Sequence, residues 1–152
     1  MKRFVLAGLA GSFLLGTPAL AQDFTAELKA RQGQFRIMAL NLGILGGMAQ
    51  GRAEYDAEAA QAAADTLVAV SMIQQGPHWP QGSDSGAIEG TRALPAIWED
   101  LEDFSAKWAA FGEAALAMQA VAGDGQAALG PLMGRVGGTC SACHDANRVP
   151  QD

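Results

Sequence analysis

Apolar side chains recur in steps of four and three along most of this chain, and that spacing leaves little choice of fold. Phe24, Leu28, Arg31, Phe35, Met38, Leu42 and Leu45 are separated by 4, 3, 4, 3, 4 and 3 residues, the seam of an α-helix that buries one stripe against its neighbours. A helix over about 23–50 is predicted, with Gly43, Gly46 and Gly47 loosening its last turns. Asp56 is placed to cap a second helix from Ala57 to about Ile73, whose inner face is small: Ala60, Ala64, Leu67, Val68 and Ser71. Such a face permits close approach within a bundle or across a dimer interface. Pro95 opens a third helix with the stripe Ile97, Leu101, Phe104, Trp108, Phe111, Ala115, Met118 and Ala122. Glu99, Asp100, Glu102 and Asp103 suit its N-terminal end.

Asp124 is expected to cap a fourth helix with the stripe Leu129, Leu132, Val136, Cys140 and Cys143, which kinks or begins at Gly130-Pro131. No strand-length alternation is visible. The expected fold is all-α, an antiparallel up-down four-helix bundle. Between the second and third helices, Gln74 to Leu94 reads as one long irregular loop rich in glycine and proline.

The fourth stripe ends in Cys140-Ser141-Ala142-Cys143-His144, the C-x-x-C-H pattern of a covalently attached c-type haem. Positions i, i+3 and i+4 share one helical face, so both thiols and the imidazole address the same flat object. Each thiol adds to a vinyl group as a thioether, and His144 offers a ring nitrogen to the iron. A redox C-x-x-C would expect a βαβ context, which is missing. Zinc needs four ligands, and only His78 could join Cys140, Cys143 and His144 from the Cys and His side chains. A plain disulfide leaves the adjacent histidine unexplained. Gly137 and Gly138 are read as room for the macrocycle, and the haem would lie inside the bundle, covered by the first helix.

Arg31 interrupts an otherwise apolar seam, and a buried guanidinium needs an anion. A haem propionate would serve; alternatively Arg31 sits at the stripe's edge and reaches water or Glu27. His78 reads as a solvated loop residue. Met38, Met48, Met72, Met118 and Met133 read as core filler, with Met38, three residues from Phe35, the competitor for iron.

Lys2 and Arg3, the apolar run Phe4 to Leu15 and Ala19-Leu20-Ala21 read as a secretory leader cleaved after Ala21. Residues 22–152 then form one domain, without membrane insertion. Removing two of the ten basic residues leaves sixteen acidic ones and a formal charge of −8, which argues against nucleic acid as a partner. Export to the periplasm suits the motif, because c-type haem is attached outside the cytoplasm.

With these features together, the chain resembles cytochrome c′, the class II c-type cytochrome family. The resemblance runs through Ala30-Arg31-Gln32, Tyr55-Asp56, Ile97-Trp98, Val136-Gly137-Gly138-Thr139-Cys140 and Cys143-His144-Asp145. It implies one haem c held by Cys140 and Cys143, with His144 as the iron's protein ligand. In low-spin members a methionine four residues after the matching arginine supplies the sixth ligand; here that position is Phe35, which has no lone pair to donate. The resemblance therefore implies five-coordinate iron behind a hydrophobic shield, open to small diatomic gases such as nitric oxide and carbon monoxide, with single-electron transfer to an unidentified redox partner protein as an accompanying or alternative role. It also implies that Arg31 and Gln32 lie at a propionate or the haem edge, that Arg148 borders the proximal pocket, and that homodimers form through the first two helices. An enzyme reducing peroxide or nitric oxide is the alternative; peroxide cleavage would need a polar distal acid or base, where phenylalanine and aliphatic side chains are expected.

Overall fold

The computed structural model describes residues 23–150; the leader expected over Met1–Ala21 lies outside them. Five helices are present among these residues: α1 Thr25–Ala49, α2 Ala57–Ser71, α3 Ala96–Glu99, α4 Leu101–Gln119 and α5 Gln126–Asn147, with a 3-10 turn at Gly76–His78. The four long helices pack in a ring, α1 on α2, α2 on α4, α4 on α5 and α5 on α1. Successive long helices are neighbours, which gives the antiparallel up-down four-helix bundle.

One part of the bundle is packed with small side chains. Ala60, Ala64, Ala114, Ala115 and Ala122 are fully buried with Leu45, Leu67, Met118 and Leu129. Alanine brings helix axes close, and a Cβ built on Gly112 of α4 would stand 3.3 Å from the Ser71 hydroxyl of α2. Asp56 caps α2 as expected, its carboxylate accepting from the amides of Glu58 and Ala59 at 2.9 and 3.0 Å. Tyr55 beside it donates to the Ala122 carbonyl and accepts from the Gly125 amide, at 2.9 and 3.0 Å. This pins the α4–α5 turn to the start of α2.

Several boundaries differ from the sequence expectation. The third helix is two: Asp100 leaves helical geometry at φ −141° and caps α4 by accepting from the Asp103 amide. Leu101, expected on the buried stripe, is the first residue after that break and is 52% exposed, while Ile97 and Phe104 on either side remain buried. Asp124 does not cap α5; Gly125 occupies that position at φ +124°, in the left-handed half of the map that glycine tolerates best. Pro131 neither starts nor breaks α5, which runs through it and forgoes one backbone donor there. Met72 is no core filler, since it lies beyond the last turn of α2 and is 72% exposed. Met38, Met48 and Met118 are buried and Met133 packs against the core.

Candidate haem site

A second part of the interior is open. Between α1, α4 and α5 lies a cavity of about 410 Å³, walled by Leu28, Phe35, Met38, Leu42, Phe104, Trp108 and Phe111 among others. Cys140, Cys143 and His144 all line it, as the i, i+3, i+4 spacing on α5 requires. Gly137 and Gly138 do not. They are exposed, and a Cβ on either would meet nothing within 4 Å; Val136, Thr139 and Cys140 take the inward face and leave the two glycines on the solvent side.

The three motif side chains share a partly buried setting that shifts their titration. Both thiols are half-buried, and burial, the largest influence on each, raises their pKa values, with Cys143 adding to the effect on Cys140. Burial lowers the His144 pKa, and the neighbouring Arg148 guanidinium lowers it further. Both influences favour the neutral form of the imidazole, the form that can ligate a metal. Arg148 Nη1 lies 3.4 Å from His144 Nε2, so Arg148 borders this side of the cavity.

Another part of the wall is built by the long loop between α2 and α3. Trp79 lines the cavity and meets Phe35 edge to face at 6.4 Å, and Phe35 meets Trp108 likewise at 6.3 Å. Trp79 is held by its Nε1 donating to Gln75 Oε1 at 3.0 Å. Gln75 in turn pairs reciprocally with buried Gln34 of α1, at 2.9 and 3.1 Å. Trp79 and Gln34 went unnoticed in the sequence: one sat among loop breakers and the other beside the apolar seam, not on it. An aromatic residue in a glycine- and proline-rich loop was the one available signal.

Arg31 is 2% exposed, so it does not sit at the stripe's edge reaching water, and its hydrogen bonds go to Ser83 rather than to Glu27. Its Nη1 and Nη2 donate to the hydroxyl and carbonyl of Ser83, both at 3.2 Å, and its guanidinium lies over the Trp79 ring, 4.6 Å from the centroid. Burial lowers its pKa, opposed by the charge of Glu27. Gln32 lines the cavity and donates to the Gly90 carbonyl at 3.0 Å, tying the loop to α1. His78 is absent from the cavity wall; its Nδ1 faces the Gln74 carbonyl at 3.0 Å.

Zinc fails on geometry, because no group of three or more His, Cys, Asp or Glu side chains converges among the described residues. A haem fits. The cavity is apolar where a macrocycle would lie, carries both thiols and the imidazole on one helix, and includes Arg31, Arg92, Lys107 and Arg148 in its wall but no acidic side chain, which suits a group bearing two carboxylates.

A helical bundle with this cavity and this motif on its last helix is a c-type cytochrome of the four-helix kind. A family model described as Cytochrome C′ matches residues 26–148. The chain is 41% identical over 149 residues to cytochrome c′ of Cereibacter sphaeroides, covering 98% of this chain and 99% of the relative. It superposes with a TM-score of 0.82 on the solved cytochrome c′ of Rhodobacter sphaeroides, at 41% identity and covering 86% of this chain and all of that one. A nitric oxide complex of a mutant cytochrome c prime from Alcaligenes xylosoxidans is similar at TM-score 0.72 and 30% identity, covering 84% and 97% of the two chains. The chain belongs to the cytochrome c′ family.

Proposed function

We propose that the chain carries one haem c, attached through Cys140 and Cys143 and ligated by His144, with the opposite face of the iron left open. It binds nitric oxide or carbon monoxide and passes single electrons to a partner protein, without making or breaking substrate bonds. When bound, the haem supplies an iron with a free coordination position and a one-electron change. His144 contributes an imidazole, and the walls around it are largely apolar, with Phe35 37% exposed at their edge. Phe35 carries the reading: it stands in the cavity wall between Trp79 and Trp108 and offers the iron no donor atom. Water and anions, which need hydrogen-bond partners, are disfavoured in such a wall, whereas uncharged diatomics are not. The relative described as a nitric oxide complex supports the same reading. Acid–base cleavage of peroxide finds no carboxylate in the wall.

Absorption and spin-state spectra of the ferric and ferrous protein, with and without carbon monoxide, test this. The expectation is a high-spin resting state and a carbon monoxide difference spectrum. A low-spin six-coordinate resting state would discard it in favour of a pure electron carrier using Met38, which also lines the cavity. Phe35→Met, which installs a thioether, is expected to convert the resting spectrum to low-spin and to weaken carbon monoxide binding.

Export to the periplasm after cleavage at Ala21 and homodimerisation belong to the same proposal. No described helix is long and apolar enough to cross a membrane. Ile37, Leu40 and Ile44 form an exposed apolar stripe on α1, the kind of face a second copy covers. Sedimentation of the purified protein checks the dimer; a monomer at all concentrations rejects it.

A further inference from the structure

Four of the eight Lys and Arg residues among 23–150 line one cavity, and no Asp or Glu does. In a chain of net negative charge this is a concentration of cations with a purpose, and three of the four are already committed. Arg31 has both terminal nitrogens on Ser83 and its face on Trp79. Lys107 is paired with Asp103 one turn earlier on α4. Arg148 lies against the His144 ring nitrogen.

Arg92 is different. Its one side-chain bond is from Nη2 to the Val149 carbonyl, and no carboxylate pairs with it among the described residues. Its backbone is fixed. The Val149 amide donates to the Arg92 carbonyl at 2.8 Å, the Leu94 amide donates to the Asn147 carbonyl at 2.9 Å, and Ala93 bridges to Arg148. On the other side Gln32 of α1 holds Gly90. Residues 90–93, all in the cavity wall, therefore form a strap from α1 to the end of α5. Among the described residues the strap presents a guanidinium that no carboxylate pairs and that makes one side-chain hydrogen bond.

We propose that Arg92 on this strap holds one haem carboxylate at the cavity mouth. The inference rests on the haem reading above. A guanidinium fork matches a carboxylate with two parallel bonds, and a backbone already tied at both ends loses little freedom on making them. Arg31, the residue the sequence offers for this task, is turned to Ser83 instead.

The test uses the haem-loaded protein and its Arg92→Gln and Arg92→Lys variants. Each is first denatured and its covalent haem measured as the pyridine complex; a colourless unaltered protein overturns the haem reading itself. Resonance Raman bands of propionate bending and the midpoint potential are then recorded. Arg92→Gln is expected to shift a propionate band and lower the potential, since the carboxylate charge is no longer offset. Arg92→Lys is expected to recover the potential but not the whole band position, because an ammonium lacks the fork. Bands in Arg92→Gln that coincide with those of the unaltered protein overturn the proposal. A lowered potential with unmoved bands overturns it as well, because a distant charge acts on the iron without touching the carboxylate.

Discussion

The alanine-packed part of the bundle and the cavity are built from the same seams, yet they behave as different materials. Around Leu67 the inward residues of α1, α2 and α4 are short or interlocked, and the interior closes. Around Cys140 the inward residues are two thiols facing Leu28, Phe35 and Leu42 across a gap, and the fourth side is furnished by a loop. Helical periodicity decides which side chains face inward. Side-chain volume decides whether they meet. The closed part supplies rigidity; the open part has its polar groups satisfied locally, by Ser83 for Arg31 and by Gln75 for Trp79.

If this contrast is real, substitutions in the two parts should differ in size. Leu67→Ala, at a position with no exposure, is expected to cost about 2–5 kcal/mol in urea unfolding, with the visible spectrum of the folded protein unchanged. Leu42→Ala, on the cavity wall, should cost clearly less and alter the spectrum; equal costs would break the distinction. Ser83→Ala removes an acceptor from a buried guanidinium and is expected to cost roughly 1–3 kcal/mol, read as an earlier urea midpoint and faster proteolysis of the loop. A neutral result would mean that the Ser83 carbonyl and Trp79 suffice.

The smallest effect concerns Asp65, which accepts from Gln61 and Gln119, both at 2.9 Å, and so joins α2 to α4. Those bonds, Gln61 first, lower its pKa. A depressed carboxylate stabilises the fold at pH above its ordinary range, and the contribution is lost as pH falls through the depressed value. Asp65→Ala should therefore lower the urea midpoint slightly at neutral pH, with a gap from the unaltered protein that narrows in acid. A gap that widens in acid contradicts the assigned sign.

Much of this was legible in the residues. The 3–4 stepping placed α1, α2, α4 and α5, Asp56 announced its cap, and the C-x-x-C-H spacing brought both thiols and the imidazole to one wall. What was missed has specific causes. Asp124 was expected to cap α5 and is displaced by Gly125, while Asp100, read only as one of an acidic cluster, caps α4. Gly137 and Gly138 sit next to the motif in sequence but point away from it by the turn of the helix. Gln34 and Trp79 find each other through Gln75, across 41 residues of chain, and no local pattern encodes such a meeting.

By itself the sequence determined the all-helical class, most of the inward-facing side chains and the gathering of Cys140, Cys143 and His144 on one helical face, because each depends only on neighbours within one or two helical turns. Tertiary structure alone decided that a loop walls the cavity, that Arg31 faces Ser83, and that Arg92 joins the wall with no carboxylate partner among the described residues. Those outcomes depend on which distant polar groups can satisfy one another once the helices have packed, and that competition is settled in three dimensions.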